Sequence, residues 1–69
     1  MVEVFATNVQ ESLHADELIA LLRAHLPAAR INFDLHDCDK ILRIEDQHIN
    51  NTNIIILIQA HGFTCHVLD

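Results

Sequence analysis

The chain has 69 residues and a mass of 7.9 kDa, room for one hydrophobic core and not for a second domain or an elaborate catalytic scaffold. It is 51% hydrophobic with one glycine and one proline, a composition that folds rather than staying disordered. Four Lys and Arg against ten Asp and Glu leave a formal charge of -6, which repels phosphate backbones and anionic headgroups and so argues against nucleic acid or membrane as partners.

The apolar run Ile54 to Ile58 is five residues long, far below the roughly 20 needed to span a bilayer, and no basic-then-apolar leader opens the sequence. A cytoplasmic protein is expected. Two cysteines do not make a disulfide scaffold, and reduced thiols are the expectation.

Met1 to Val9 alternates with the period of a half-buried strand, and placing Val2, Val4 and Ala6 on the core face leaves Glu3, Phe5 and Thr7 on the other. From Ser12 the period lengthens. Ala15, Leu18, Ile19, Leu22 and Leu26 recur at three- and four-residue steps, with Ser12 as the expected N-cap and Pro27 as the stop.

Ala29 to His36 alternates again, with Ile31, Phe33 and Leu35 inward. The polar cluster Asp37-Cys38-Asp39-Lys40 then turns the chain into a strand over Ile41 to Glu45, whose Leu42 and Ile44 face the core and whose Ile41 and Arg43 face away. Thr52 to His61 is rich in β-branched residues, yet it reads as a helix capped by Thr52, with an inward stripe of Ile54, Ile55 and Ile58 and a left-handed stop at Gly62. Phe63 to Leu68 closes the chain as a fourth strand with Phe63, Cys65 and Val67 inward.

The order is βαββαβ. Right-handed crossovers fold it into an α+β sandwich of ferredoxin-like plan, a four-stranded antiparallel sheet in the order 4-1-3-2 with both helices on one face. Strand direction then gathers the loops Asn8 to His14, His36 to Lys40 and His61 to Thr64 at one pole. One domain spans residues 1 to 69.

With its strand-helix spacing, Ala29-Arg-Ile-Asn-Phe-Asp-Leu35 leading to Leu42-Arg-Ile44, and the corner Ala60-His-Gly-Phe63, the chain resembles the heavy-metal-associated domain of soluble metallochaperones. The likeness implies that family's fold and a non-enzymatic, cytoplasmic binding protein with a degenerate metal loop. Members of that family bind Cu(I) or Zn(II) through a Cys-x-x-Cys pair in the first loop, and that pair falls here on Glu11 and His14. A carboxylate and an imidazole suit Zn, Ni or Cu(II) better than Cu(I), and hold them more weakly than two thiolates.

A rebuilt transition-metal site at the shared pole therefore has five candidate ligands: Glu11, His14, His36, Cys38 and His61. No catalytic residue is expected. Asn8 to His14 offers neither the Arg nor the Gly of an acylphosphatase-like phosphate loop, and Cys38 lies between two aspartates that disfavour a thiolate nucleophile. An RNA-binding sheet would need stacking aromatics and basic residues, where strands one and three give only Phe5 and Arg43.

The alternative is a protein-interaction or homodimerisation module without metal function. Phe5, Ile41 and Leu68 are its expected surface on the uncovered sheet face, and Ile56 and Leu57 add apolar surface on the second helix.

Overall fold

Alternating, β-branched segments pair into one antiparallel sheet, and the two amphipathic segments between them coil as helices. The computed structural model describes residues 1–68, with elements β1 (Val2–Thr7), α1 (Ser12–His25), β2 (Arg30–Asp34), β3 (Ile41–Glu45), α2 (Asn51–Ala60) and β4 (Cys65–Val67). The sheet order is β2-β3-β1-β4, the expected 4-1-3-2 order read from the other edge. Ile54 to Ile58 is helical, as the flanking cap and glycine signals predict.

Local chemistry sets the element ends. Pro27 has no N–H to continue α1 and pushes the residue before it out of the helical region, so Leu26 sits at φ -130, ψ 71. At the other end of α1 the N-cap is Glu11 rather than Ser12, and it makes no side-chain cap bond. Asn50 rather than Thr52 caps α2, its Oδ1 accepting from the Asn53 N–H at 3.2 Å.

α2 ends in a Schellman closure. The Gly62 N–H donates to the Gln59 carbonyl and the Phe63 N–H to the Ile58 carbonyl, with Gly62 at φ +87 in the left-handed region. β2 and β4 are shorter than the alternation suggests. The Asp34 and Asp37 carboxylates accept from the His36 and Asp39 backbone N–H groups, which turns the chain out of β2, and the Phe63 N–H is already spent on closing the helix.

Both helices lie on one face of the sheet. Leu18 and Leu22 of α1 and Ile54 and Ile58 of α2 share a single buried cluster with Ile31, Leu42 and Ile44, while Phe33, Leu35, Phe63 and Val67 pack around it partly exposed. The expected inward faces of β2, β3 and β4 all hold.

β1 reverses the expectation. Phe5, Leu42 and Ile44 are fully buried, and Phe5 stands opposite Leu42 on one side and Val67 on the other, so Phe5 belongs to the core and not to an interaction surface. Val2, expected in the core, is 43% exposed, and Val4 is half-buried on the uncovered face. The physical reason is size: alternation offers either valine or phenylalanine to the core, and the larger ring gains more from leaving water. Thr7 is carried inward with Phe5 by the two-residue period. Its hydroxyl is satisfied there, donating to the Lys40 carbonyl and accepting from the Val9 N–H at 3.2 Å.

Candidate functional site

The pole beyond the C-terminal end of β1 gathers three connections, as the topology requires. The Thr7 N–H donates to the Asp39 carbonyl at 3.0 Å, tying β1 to the β2–β3 turn, and the Thr64 N–H donates to the Asn8 carboxamide oxygen at 2.8 Å, tying it to the loop before β4. His14 on the first turn of α1 packs its ring against Phe63, with centroids 5.4 Å apart and planes tilted by 54°. The loops that carry His14 and His61 are therefore neighbours.

The side chains on this pole are less gathered than the loops. Glu11 Oε2 lies 3.4 Å from His14 Nδ1, an i,i+3 pair at the start of α1, partly open to solvent. His61 turns its Nδ1 toward the Leu57 carbonyl at 3.0 Å, which leaves Nε2 as its free ring nitrogen. No three of Glu11, His14, His36, Cys38 and His61 bring donor atoms within 4.8 Å of one another.

Among the described residues the three ligand-type side chains that do converge to that distance are Asp37, Cys38 and Asp39, all exposed on the β2–β3 turn. Their proximity follows from the turn itself, which the Asp37 carboxylate builds by accepting from the Asp39 N–H at 2.9 Å. Lys40 finishes the turn at φ 47, with its Nζ donating to the Leu35 carbonyl at 2.9 Å. Both cysteines are free thiols, Cys38 exposed and Cys65 buried, and burial pushes the Cys65 thiol up to about 11.

The second candidate surface is the sheet face that no helix covers. Cross-strand register places Arg30, Glu45 and Val2 in one row, and Asn32, Arg43 and Val4 in the next, where the Leu68 N–H joins by donating to the Val4 carbonyl. Asp34 with Ile41, and Ala6 with His66, fill the third. Its apolar part is Val2, Val4, Ile41 and Leu68, of which Leu68 is 37% exposed and Ile41 half-buried. The exposure of Val2 and Val4 here is the feature that strand periodicity could have revealed only once Phe5 was placed inside.

Two depressions lie away from the pole of candidate ligands, the first of them bordering the uncovered face at Arg30 and Glu45. One of about 570 Å³ at the opposite pole is open and lined by Met1, Ala28, Arg30, Glu45, Asp46 and Gln47. Another of about 350 Å³ lies between the end of α1 and the start of α2, lined chiefly by Leu26, Ile54, Ile56 and Leu57 with His25, Asn50 and Asn53 at its polar positions. Neither lining pairs a nucleophile with a base. Among the described residues no helix is long and apolar enough to cross a membrane.

Comparison with known proteins finds no family model, no curated protein and no solved structure that matches this chain.

Proposed function

We propose that this chain is a small non-enzymatic binding domain that works by docking a protein surface on its uncovered sheet face. The observation that carries this reading is that one whole face of the sheet presents Val2, Val4, Ile41 and Leu68 outward, while the five candidate metal ligands do not converge. Arg30 and Asp34 on β2 and Arg43 and Glu45 on β3 put both signs of charge on one half of that face, beside the apolar Val2 and Val4 of β1 and Leu68 after β4. The two unbridged cysteines fit a reducing compartment, and we place the protein in the cytoplasm.

A photo-crosslinking residue tests the docking reading when placed at Ile41 or Leu68, with Leu13 on the exposed side of α1 as the control position. Discrete protein adducts from the first two and none from Leu13 are expected in native extract. Equal labelling from both sides of the molecule, or none, refutes it.

A second reading rests on the Glu11 and His14 pair, which holds a carboxylate and an imidazole side by side where the heavy-metal-associated domain carries its two thiolates. On this reading the likeness to that family is one of plan, with the metal loop rebuilt for Zn(II), Ni(II) or Cu(II) at low affinity. Titrating the three ions should then give binding tighter than about 10 μM that His14→Ala removes. Weaker binding, or binding indifferent to that substitution, eliminates the metal reading.

A further inference from the structure

We infer that the occupant of the uncovered sheet face is a second copy of this chain, an inference that rests on the docking reading. The argument is one of charge. Arg30 and Arg43 are two of the four basic residues in the chain, and both lie on this face, balanced there by Asp34 and Glu45. Among the described residues the charges on this face cancel, and those outside it, with two basic residues against seven carboxylates, carry a charge of -5.

A partner recruited by opposite charge would be basic, and it would be drawn to the acidic remainder of this molecule before this face. A face with equal numbers of both charges beside an apolar strip fits another of the same kind, and its own copy presents one. Moreover, His14 and Glu11 are the sole pair in ion-pair range among the described residues, so neither arginine of the face and neither of its carboxylates is ion-paired there, although one Asp34 oxygen accepts from the His36 N–H, and these charges can pair across an interface.

The area sets the strength. Four strands about 4.8 Å apart, each of about five residues rising about 3.3 Å, give a footprint of roughly 300 Å². Standard stable interfaces bury about 800 Å² per partner, so a contact confined to this face falls well short of one and the pairing is weak and reversible. It also has a distinctive salt dependence. Two chains of charge -6 repel each other through their outer surfaces, and salt screens that exposed repulsion more than it screens close ion pairs within the contact.

Sedimentation equilibrium of the purified chain from about 5 to 500 μM, at 20 and 300 mM NaCl, tests the inference. A monomer–dimer equilibrium that tightens severalfold in the higher salt is expected. Leu68→Glu and Arg43→Glu should each weaken it by tenfold or more with melting temperature unchanged, whereas Ile56→Glu on the exposed side of α2 should leave it intact. A monomer at all concentrations overturns self-pairing, and adducts from Ile41 or Leu68 to a different protein would then leave the docking reading standing alone. A dimer that salt loosens, or that Ile56→Glu breaks in place of Leu68→Glu, overturns the assignment to this face.

Discussion

Substituting Phe5 tests the orientation of the central strand, on which both the core and the uncovered face depend. Phe5 is fully buried between the β3 and β4 neighbours Leu42 and Val67, whereas Val2, three residues away on the opposite face, is 43% exposed. A chain of this length has a total stability of about 3 to 10 kcal/mol. Phe5→Ala removes most of a buried ring and leaves a cavity, at about 3 to 5 kcal/mol, enough to unfold much of the population at 37 °C. Phe5→Leu is the measurable version, at about 1 to 1.5 kcal/mol, and at about 4 to 8 °C per kcal/mol for a domain of this size it lowers Tm by about 4 to 12 °C. Val2→Ala should cost under about 1 kcal/mol. Thermal melts followed by circular dichroism, with urea titrations to confirm an unchanged m-value, compare the two directly. Equal losses from Phe5→Leu and Val2→Ala, or a larger loss from Val2→Ala, would refute the assignment of faces and with it the docking surface.

Burial that lifts the Cys65 thiol to about 11 also predicts that this residue resists alkylation at pH 8 until the protein unfolds, while exposed Cys38 reacts at once; peptide mapping after iodoacetamide distinguishes the two. Because the folded-state value lies above the ordinary 9.0, the unfolded chain gives up this proton first, so stability is flat below about pH 9 and falls between about 9 and 11, by at most about 1.4 kcal/mol per pH unit. Cys65→Ala, melted across that range, should lose this component of the slope, and an unchanged profile would contradict it. Gly62→Ala should cost about 1 kcal/mol from backbone conformation alone, since φ is +87 and nothing lies within 4 Å of the added carbon; Gly62→Asn should cost less, and urea midpoints rank them. Thr7→Val removes the donor to the Lys40 carbonyl and the acceptor of the Val9 N–H, so urea unfolding should show a loss of about 1 to 3 kcal/mol.

The topology was legible because it rests on signals of long reach: the change from period two to period 3.6 at Ser12, the proline that stops α1, and the glycine that lets α2 close at φ +87. These place the three connections at one pole, where the Asn8 to Thr64 and Thr7 to Asp39 hydrogen bonds join them. What the sequence left open was decided at shorter range. In Val2 to Thr7 either alternate set could have faced the helices, and the choice was settled by the fit of Phe5 between Leu42 and Val67 and by a Lys40 carbonyl placed to accept from Thr7, neither of which exists until the sheet has formed. The helix caps behave likewise, since Ser12, Thr52, Glu11 and Asn50 all stood near the boundaries and the first turn of each helix chose between neighbours.

The candidate ligands obey the same rule more strictly. Loops can be brought to one pole by strand direction alone, but a ligand set requires side chains to converge within a few ångströms. Here local partners claim them first: Leu57 takes one nitrogen of His61, while Glu11 and the ring of Phe63 flank His14. A face of a sheet asks for no such convergence. Its composition follows from the two-residue period once a single residue is placed, so burying Phe5 turns Val2 and Val4 outward and sets them beside Arg43, Glu45 and Leu68. The one ambiguity in the strand pattern therefore decides more about the proposed docking face than any histidine does. The same choice that hides the largest side chain of β1 turns Val2 and Val4 toward the uncovered face, the face on which the proposed pairing depends.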